Sequence, residues 1–262
     1  MSKIVKTTVI TGAILIGIGI IIVIVAGFVS GWNFDTVKWD AKTFESEPGV
    51  EISNIDLEFD AGSLKVEFYD GDTIKVEYSE SDQITTEFHV TNNTLKITTI
   101  VHWHVQVLWF NKIPTTRLYI PQNMQVGLKM NVNAGKINIE EGTFGDIDIT
   151  INAGSIYMDK VRCNNFDVEM NAGSLRITQI VSNTFNADLS AGSLSVTTLQ
   201  CDYIGVDLSA GSVKLGIAGK QSDYTIKTDV SAGSCNVKSQ SGGSKRLTVD
   251  VSAGSVKILF DE

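Results

Sequence analysis

Hydrophobic and polar residues alternate along most of the chain after residue 50, and a short repeat organises the alternation. Ala-Gly-Ser or a near copy begins at Ala61, Ala134, Ala153, Ala172, Ala191, Ala210, Ala232 and Ala253, and from Ala134 onward the intervals are 19, 19, 19, 19, 22 and 21 residues. Apolar residues stand two positions before each alanine and three and five positions after it. A period of two on both sides of the tripeptide predicts two strands in each repeat, each burying one face.

The repeat predicts an all-β fold in which residues 133–262 form a parallel β-solenoid, a β-helix-like stack of roughly 19-residue coils. We expect each repeat alanine to face inward at a corner. The glycine after it would provide a positive φ or a close backbone approach. These glycines are Gly62, Gly135, Gly154, Gly173, Gly192, Gly211, Gly233 and Gly254.

Two further columns follow from the same alignment. Val161, Ile180 and Leu199 stand eight residues after the alanine and predict a third inward side. Asn164, Asn183 and Asp202 form a predicted turn column, because these residues tolerate left-handed backbone and their amides can stack as a ladder.

Residues 50–132 show strand patterns with hairpin spacing and predict an antiparallel β cap on the solenoid. One predicted hairpin joins residues 64–68 and 74–78 across Asp70-Gly71-Asp72. The other joins residues 88–90 and 95–97 across Asn92-Asn93. Both connections contain residues typical of tight turns.

An apolar segment lies near the N-terminus. Residues Val9 to Val29 have only Thr11 as a polar interruption, and at about 1.5 Å per residue such a helix spans a bilayer core of about 30 Å. We therefore predict a transmembrane helix over residues 9–31, a cytoplasmic N-terminus at 1–8 that contains Lys3 and Lys6, and a linker at 32–49. A cleaved signal peptide is the alternative, although its apolar region is usually about 7 to 15 residues.

Charge and cysteine content narrow the function classes. The chain has 21 basic and 30 acidic residues, a formal net charge of -9, so it lacks the basic footprint of a nucleic-acid-binding protein. Its 3 cysteines do not indicate a disulfide framework. Cys163 and Cys201 would lie two coils apart, too far for a disulfide, and Cys235 falls in an inward column.

Few residues indicate site chemistry. His102 and His104 share one strand face and, with His89, suggest a metal site; the alternative is an exposed strand face. The segment from Val101 to Phe110, with Trp103 and Trp109, is either a core strand or an exposed contact with lipid, glycan or protein. No catalytic motif or cofactor site is predicted.

A row of carboxylates is the remaining candidate. It stands three residues before the repeat alanine, at Glu169, Asp188, Asp207, Asp229 and Asp250. Stacked coils would place these groups about 4.8 Å apart on an outward face. The row is a hypothetical binding site for divalent cations, and a solvated surface is the alternative.

The apolar segment, the hairpin region, the segment Arg117-Leu-Tyr-Ile-Pro121 and the Ala-Gly-Ser coils together resemble the bacterial "putative adhesin" domain family of unknown function. The resemblance covers roughly residues 50 to 262. LiaG-like membrane-anchored proteins of Gram-positive envelope-stress operons are similar in layout. The resemblance implies a non-catalytic domain and supplies no catalytic residues.

We therefore expect a single-pass protein of the cell membrane that displays a β-solenoid outside the cytoplasm. Its expected partners are the lipid bilayer, through the N-terminal helix, and an envelope protein or polymer, without nucleic acid or cofactor. An accessory role in a stress response fits the same layout. The alternative is a β-helix protein that binds or degrades cell-wall glycan, because some right-handed β-helices are polysaccharide lyases.

Overall fold

The computed structural model describes residues 38–102 and 113–261. Every described strand belongs to one compact unit, residues 39–262. The strands are β1 (Asp40–Glu45), β2 (Asn54–Phe59), β3 (Ser63–Tyr69), β4 (Lys75–Glu80), β5 (Ile84–Thr91), β6 (Thr94–Val101), β7 (Thr115–Pro121), β8 (Gly127–Val132), β9 (Lys136–Ile139), β10 (Gly142–Thr143), β11 (Ile147–Ile151), β12 (Ser155–Arg162), β13 (Asn165–Met170), β14 (Ser174–Val181), β15 (Thr184–Leu189), β16 (Ser193–Gln200), β17 (Tyr203–Leu208), β18 (Ser212–Ile217), β19 (Tyr224–Cys235) and β20 (Lys245–Phe260).

These strands form an all-β, β-solenoid-like fold. Within the described residues the one helical element is a 3-10 turn at Gln221–Asp223, and no helix there is long and apolar enough to cross a membrane. The transmembrane helix predicted over residues 9–31 lies outside the described residues.

Strands that precede the Ala-Gly-Ser corner stack in parallel on one side of the coils, here called side 1. Their order is β6, β2, β8, β11, β13, β15, β17, the first half of β20 and the first half of β19. From β8 to β17 the residues paired on adjacent strands are 19 positions apart, as for Leu128 and Ile147. The sequence repeat is therefore the structural period.

Strands that follow the corner form side 2. Their order is β7, β3, β9, β12, β14, β16, β18, the second half of β20 and the second half of β19. The ends of β12, β14 and β16 continue onto a third side, where Val161, Ile180 and Leu199 are buried. This agrees with the predicted third inward column.

The predicted inward columns form one continuous hydrophobic core. Ile151 and Ile156, on either side of one corner, are both buried, as are the equivalent residues of most other coils. Val230 is 37% exposed although it occupies the same repeat position as Val251, which is 3% exposed. The difference arises because β19 is the outermost strand of the stack, paired with β20 alone.

The last two coils are stacked in the reverse of their chain order. β20 lies between β17 and β19 on side 1, and between β18 and β19 on side 2. The C-terminal strand is thus covered on both edges, while β19 closes the stack. Part of the outer edge of β19 is covered by the chain itself, because Ile226 and Gln240 form an antiparallel bridge.

A similar insertion occurs at the other end. β2 lies between β6 and β8, and β3 lies between β7 and β9. The hairpin predicted between residues 64–68 and 74–78 is therefore wrong, since β7 separates β3 from β4. The second hairpin is confirmed: β5 and β6 pair in antiparallel fashion, and Asn92 and Asn93 adopt φ values of 51° and 58° in the turn.

Antiparallel strands extend both sides at this end. β5 continues side 1 beyond β6, and β4 followed by β1 continues side 2 beyond β7. Ile74 and Val76 of this region are buried in the common core. The antiparallel strands therefore share the core of the parallel coils.

Two details of the predicted corners are wrong. The alanines face solvent, as Ala153 and Ala172 illustrate, because the preceding apolar residue already fills the inside of the corner. Asn164 and Asn183 are joined through backbone atoms, Asn183 N donating to Asn164 O at 2.9 Å. The side-chain ladder instead lies just before the alanines.

That ladder runs over four coils. Asn133 donates through Nδ2 to Asp60 Oδ1 at 2.7 Å, Asn152 to Asn133 Oδ1 at 2.7 Å, and Asn171 to Asn152 Oδ1 at 2.9 Å. Asn133 and Asn152 each use the amide donor toward one neighbouring coil and the amide oxygen as acceptor toward the other. The ladder ends where Ser190 replaces asparagine in the next coil.

Candidate functional site

The carboxylate row lies on the outward surface of side 1. Glu169 is paired with Asp188, and Asp188 with Asp207. Asp207 is followed by Asp250 and Asp250 by Asp229, because β20 is inserted before β19. At about 4.8 Å between adjacent strands, the row is continuous over five coils.

A second column widens this acidic surface. Asp148 is paired with Asp167, and Asp167 with Asn186, whose amide donates to Asp167 Oδ1 at 2.7 Å. Together the two columns line a shallow groove along side 1. We call the acidic face the carboxylates of Asp148, Asp167, Glu169, Asp188, Asp207 and Asp250.

In the described part of the chain no carboxylate of the acidic face is in an ion pair, although Lys129 is paired in register with Asp148 at one end of the face. The ion pairs found there involve other carboxylates, such as Glu58 with Lys96 and Asp202 with Lys245. Like charges at this spacing repel one another, modestly in water. The face therefore presents a concentrated negative charge to solvent.

The carboxylate row does not converge on a point. Across residues 38–102 and 113–261, His, Cys, Asp and Glu side chains form no group of three or more that could hold a metal ion. Ca²⁺ requires six to eight oxygen ligands at about 2.3 to 2.6 Å, whereas adjacent carboxylates of the row come from separate coils about 4.8 Å apart. This geometry therefore provides no set of ligands for the hypothetical divalent-cation site.

The central outward column of side 2 is basic. It stands four residues after the repeat alanine and continues onto β7. In stack order the column is Arg117, Lys65, Asn138, Tyr157, Arg176, Ser195, Lys214, Lys257 and Asn236. It contains no carboxylate.

Serines flank this column on the corner side. Ser174, Ser193 and Ser212 are neighbours in register on consecutive coils. Arg176, Lys214 and Lys257 are exposed, and in the described part of the chain no carboxylate lies within 4.0 Å of their charged nitrogens. We call Arg176, Lys214 and Lys257, with their flanking serines, the basic face.

Lys65 belongs to the same column but differs in its environment. Its ammonium lies 2.7 Å from Glu140 Oε1 and also pairs with Glu67. Hydrogen bonds to Glu140 and then to Glu67 raise the pKa of Lys65 above its ordinary value. This lysine is already occupied by intramolecular partners.

The basic face was not predicted from the sequence. Its signal is the position four residues after the repeat alanine, where Arg176, Lys214 and Lys257 stand. The pattern is incomplete along the chain, because Tyr157 and Ser195 occupy the same position in intervening coils. Only the three-dimensional register aligns the cations on one surface.

The glycines of the repeat lie stacked at the corner. A Cβ built on Gly173 would stand 2.3 Å from the carbonyl oxygen of Gly154, and one on Gly211 would stand 2.2 Å from that of Gly192. Gly173 and Gly211 also have φ values of 118° and 113°. Both the close approach of the next coil and the positive φ therefore require glycine at these corners. The glycine carbonyls accept hydrogen bonds from the backbone N–H groups of the serines in the next coil.

His89 and His102, the two histidines among the described residues, lie apart. His89 lies near the turn of the β5–β6 hairpin, opposite Lys96, whereas His102 follows the far end of β6. His102 Nε2 is 3.2 Å from Thr85 Oγ1, and His89 Nε2 is 3.6 Å from Glu87 Oε2. His104 and the predicted aromatic contacts at 103–110 lie outside the described residues.

The cysteines are free thiols in the wall of the stack. Burial raises the pKa of Cys163 to about 12 and also raises the pKa of Cys201. Cys201 Sγ lies 3.2 Å from Asn183 O, and the Cys201 carbonyl accepts a hydrogen bond from the buried Tyr224 hydroxyl at 2.7 Å. These environments favour the thiol form, which is a poor nucleophile.

Comparison with solved structures finds proteins of similar architecture at low identity. A putative adhesin from Bacteroides fragilis NCTC 9343 is 14% identical over 85% of this chain and 97% of its own, with a TM-score of 0.47. A putative cell adhesion protein from Clostridium sporogenes ATCC 15579 is 14% identical over 86% and 100%, with a TM-score of 0.37. A putative lipid binding protein from Parabacteroides distasonis ATCC 8503 is 14% identical over 87% and 99%, with a TM-score of 0.40.

Structural similarity at such low sequence identity and TM-score does not assign a function to this chain. A search of curated proteins found no match. The family comparison is more informative, because the Toastrack DUF4097 profile matches residues 52–262, which include all the stacked coils. The chain therefore belongs to the Toastrack DUF4097 family.

Proposed function

We propose that this protein is a membrane-anchored, extracytoplasmic contact module of the cell envelope, an adhesin-like domain that acts by binding rather than by catalysis. The observation that carries the proposal is the pair of continuous sheet surfaces with positions that repeat once per coil, one bearing the acidic face on side 1 and the other the basic face on side 2. Flat, repetitive surfaces of this kind suit extended contacts with proteins or polymers.

The arrangement of charged residues supports binding over chemistry. The carboxylates of the acidic face and the cations of the basic face are spread along the stack, each on its own coil. Catalysis requires groups that converge within hydrogen-bond reach of one reacting bond. Spaced charges instead match a partner that is itself extended.

The anchor part of the proposal rests on the apolar segment at residues 9–31. The described chain enters the β-stack through β1, an edge strand at the antiparallel end. An anchor before this strand would attach that end, leaving β19 at the opposite end of the stack. Lys3 and Lys6 favour a cytoplasmic N-terminus and an external β-stack.

Topology is tested on the full-length chain carrying a C-terminal epitope tag, in intact cells of its native host. We expect an added protease to remove the tag without lysis, and deletion of residues 9–31 to move the protein out of the membrane fraction. A tag that is cleaved only after lysis would reject the proposed topology. A cytoplasmic tagged protein of the same cells serves as the lysis control.

Partner binding is tested with the detergent-solubilised full chain and isolated cell-wall material. We expect retention on the wall fraction, with weaker retention of the variant R176Q/K214Q/K257Q if the partner is an anionic polymer. Release of soluble sugars from the wall would contradict the proposal and support the alternative of a glycan-degrading protein. Failure to bind any envelope fraction or envelope protein would also contradict it.

A further inference from the structure

Three coils carry a carboxylate on side 1 and a cation at the matching level on side 2. The pairs, one for each coil, are Glu169 with Arg176, Asp207 with Lys214, and Asp250 with Lys257. In each pair the cation follows the carboxylate by seven residues, across the corner. The acidic and basic faces are therefore level with each other along the stack.

The two faces also share one spacing. Asp207 lies beside Asp250 on side 1, and Lys214 lies beside Lys257 on side 2. Both steps are the distance between adjacent coils, about 4.8 Å. A second copy of the chain placed alongside, without a shift along the stack, would bring each cation level with the carboxylate of the same coil in its neighbour.

The charged groups of both faces are available for such a contact. Glu169, Asp207, Arg176 and Lys214 are exposed, and none of them is in an ion pair within the described part of the chain. Lys65 differs from these residues, because it forms ion pairs with two carboxylates of its own chain.

We propose that the protein self-associates side by side, the acidic face of one copy binding the basic face of the next with the stacks in the same direction. Such a contact uses different surfaces on the two copies, so it leaves one unpaired face at each end and can extend into rows or close into rings. It keeps all copies in one orientation, as anchoring in one membrane would require. The contact itself does not depend on the proposed anchor or envelope partner.

Electrostatics sets the expected behaviour. Exposed ion pairs are weak individually and are screened over about 10 Å at 0.1 M salt. Several pairs in register act together, and confinement to a membrane raises the effective concentration of the neighbour. We therefore expect association that is strong at low ionic strength and lost at high ionic strength.

The experiment uses the full chain in detergent, with separate samples labelled at a C-terminal tag by a donor or an acceptor fluorophore. We expect energy transfer between mixed donor and acceptor chains in about 20 mM NaCl and its loss in about 500 mM NaCl, because screening lengths fall with salt. Absence of transfer at low salt, or transfer that is insensitive to salt, would overturn the proposal.

Charge reversal gives the decisive comparison. The variant E169K/D207K/D250K should lose self-association, and R176E/K214E/K257E should lose it as well. A mixture of these two variants should recover transfer, because each presents a face complementary to the other. Loss in both variants without recovery in the mixture, with folding verified by circular dichroism, would reject the pairing of these faces.

A matched control separates local pairing from net charge. The exposed loop residues Asp70, Asp72 and Asp82 lie in the antiparallel region, away from both faces. The variant D70K/D72K/D82K changes net charge as much as the acidic-face variant and should keep wild-type transfer. Equal loss in this control would show that net charge, and not the two faces, governs association.

Discussion

Asp207 lies directly beside Asp250 on side 1, although Asp229 comes between them in the chain. The relationship shows that the C-terminal strand is inserted into the stack, with the coil of Asp229 displaced to the end. Insertion gives the C-terminal strand a partner on both edges and leaves β19 as the edge strand, part of which is covered by the bridge between Ile226 and Gln240. The carboxylate row runs without interruption from Glu169 to Asp250 and on to Asp229.

Two valines at equivalent repeat positions test this stacking order. Val251→Ala should lower the free energy of unfolding by about 2 kcal/mol, because it removes two methyl groups from a core position that is 3% exposed. Val230→Ala, at 37% exposure on the outermost strand, should cost less than about half as much. Urea unfolding of the full chain followed by circular dichroism measures both, and the reverse ranking would contradict the inserted order.

The glycine corners provide a second prediction. Gly173→Ala must strain a φ of 118° and also place a Cβ 2.3 Å from the Gly154 carbonyl oxygen. Gly242→Ala faces a similar φ of 115° but has no atom within 4 Å of the new Cβ, so it isolates the backbone strain. We expect the Gly242 variant to lose about 1 to 3 kcal/mol and the Gly173 variant about 1 to 3 kcal/mol more. Equal losses in thermal or urea unfolding would show that steric approach of the coils is unimportant.

The asparagine ladder predicts unequal effects along its length. Asn152→Ala removes two side-chain hydrogen bonds, one to Asn133 and one from Asn171, whereas Asn171→Ala removes only the terminal one. At about 0.5 to 1.5 kcal/mol for each bond, with exposure favouring the lower end, the Asn152 variant should lose about twice as much stability. Indistinguishable free energies of unfolding for the two variants would argue that solvent replaces these bonds.

The partly buried thiol of Cys163 predicts low reactivity. Because burial raises its pKa from 9.0 to about 12, very little thiolate exists at pH 8 in the folded chain. Alkylation of Cys163 by iodoacetamide, followed by mass spectrometry of its peptide, should be at least about a hundredfold slower in the folded than in the urea-unfolded chain. Rapid labelling of the folded protein would show that this part of the wall opens readily.

The same pKa shift has a defined sign in stability. Below about pH 9 the thiol is protonated in both the folded and unfolded states, so it adds no pH dependence. From about pH 9 to about 12 only the unfolded chain releases the proton, and the free energy of unfolding should fall as pH rises. Cys163→Ala should show a shallower decline over this range. An unchanged slope would exclude Cys163 as its source.

Local patterns in the sequence were sufficient for the interior of the coils. Alternation around each tripeptide placed Ile151 and Ile156 inside, and the eight-residue offset placed Ile180 on the third side. The carboxylate row followed from the same arithmetic, because residues at equivalent repeat positions become neighbours when coils stack. The approach of His89 to His102 did not follow, since the hairpin register places them apart, and His104 lies outside the described residues.

The sequence by itself determined the β-solenoid-like architecture, the family and the inward columns, because each coil carries its own apolar pattern and corner glycine. Only the tertiary structure decided the order of the end coils and the alignment of Arg176, Lys214 and Lys257 on one face. The physical reason is that parallel pairing joins segments distant in sequence, and coils with nearly identical patterns can pair with one another equally well. Among these pairings, those that cover exposed strand edges are favoured. The resulting order of coils brings the charges of separate coils together.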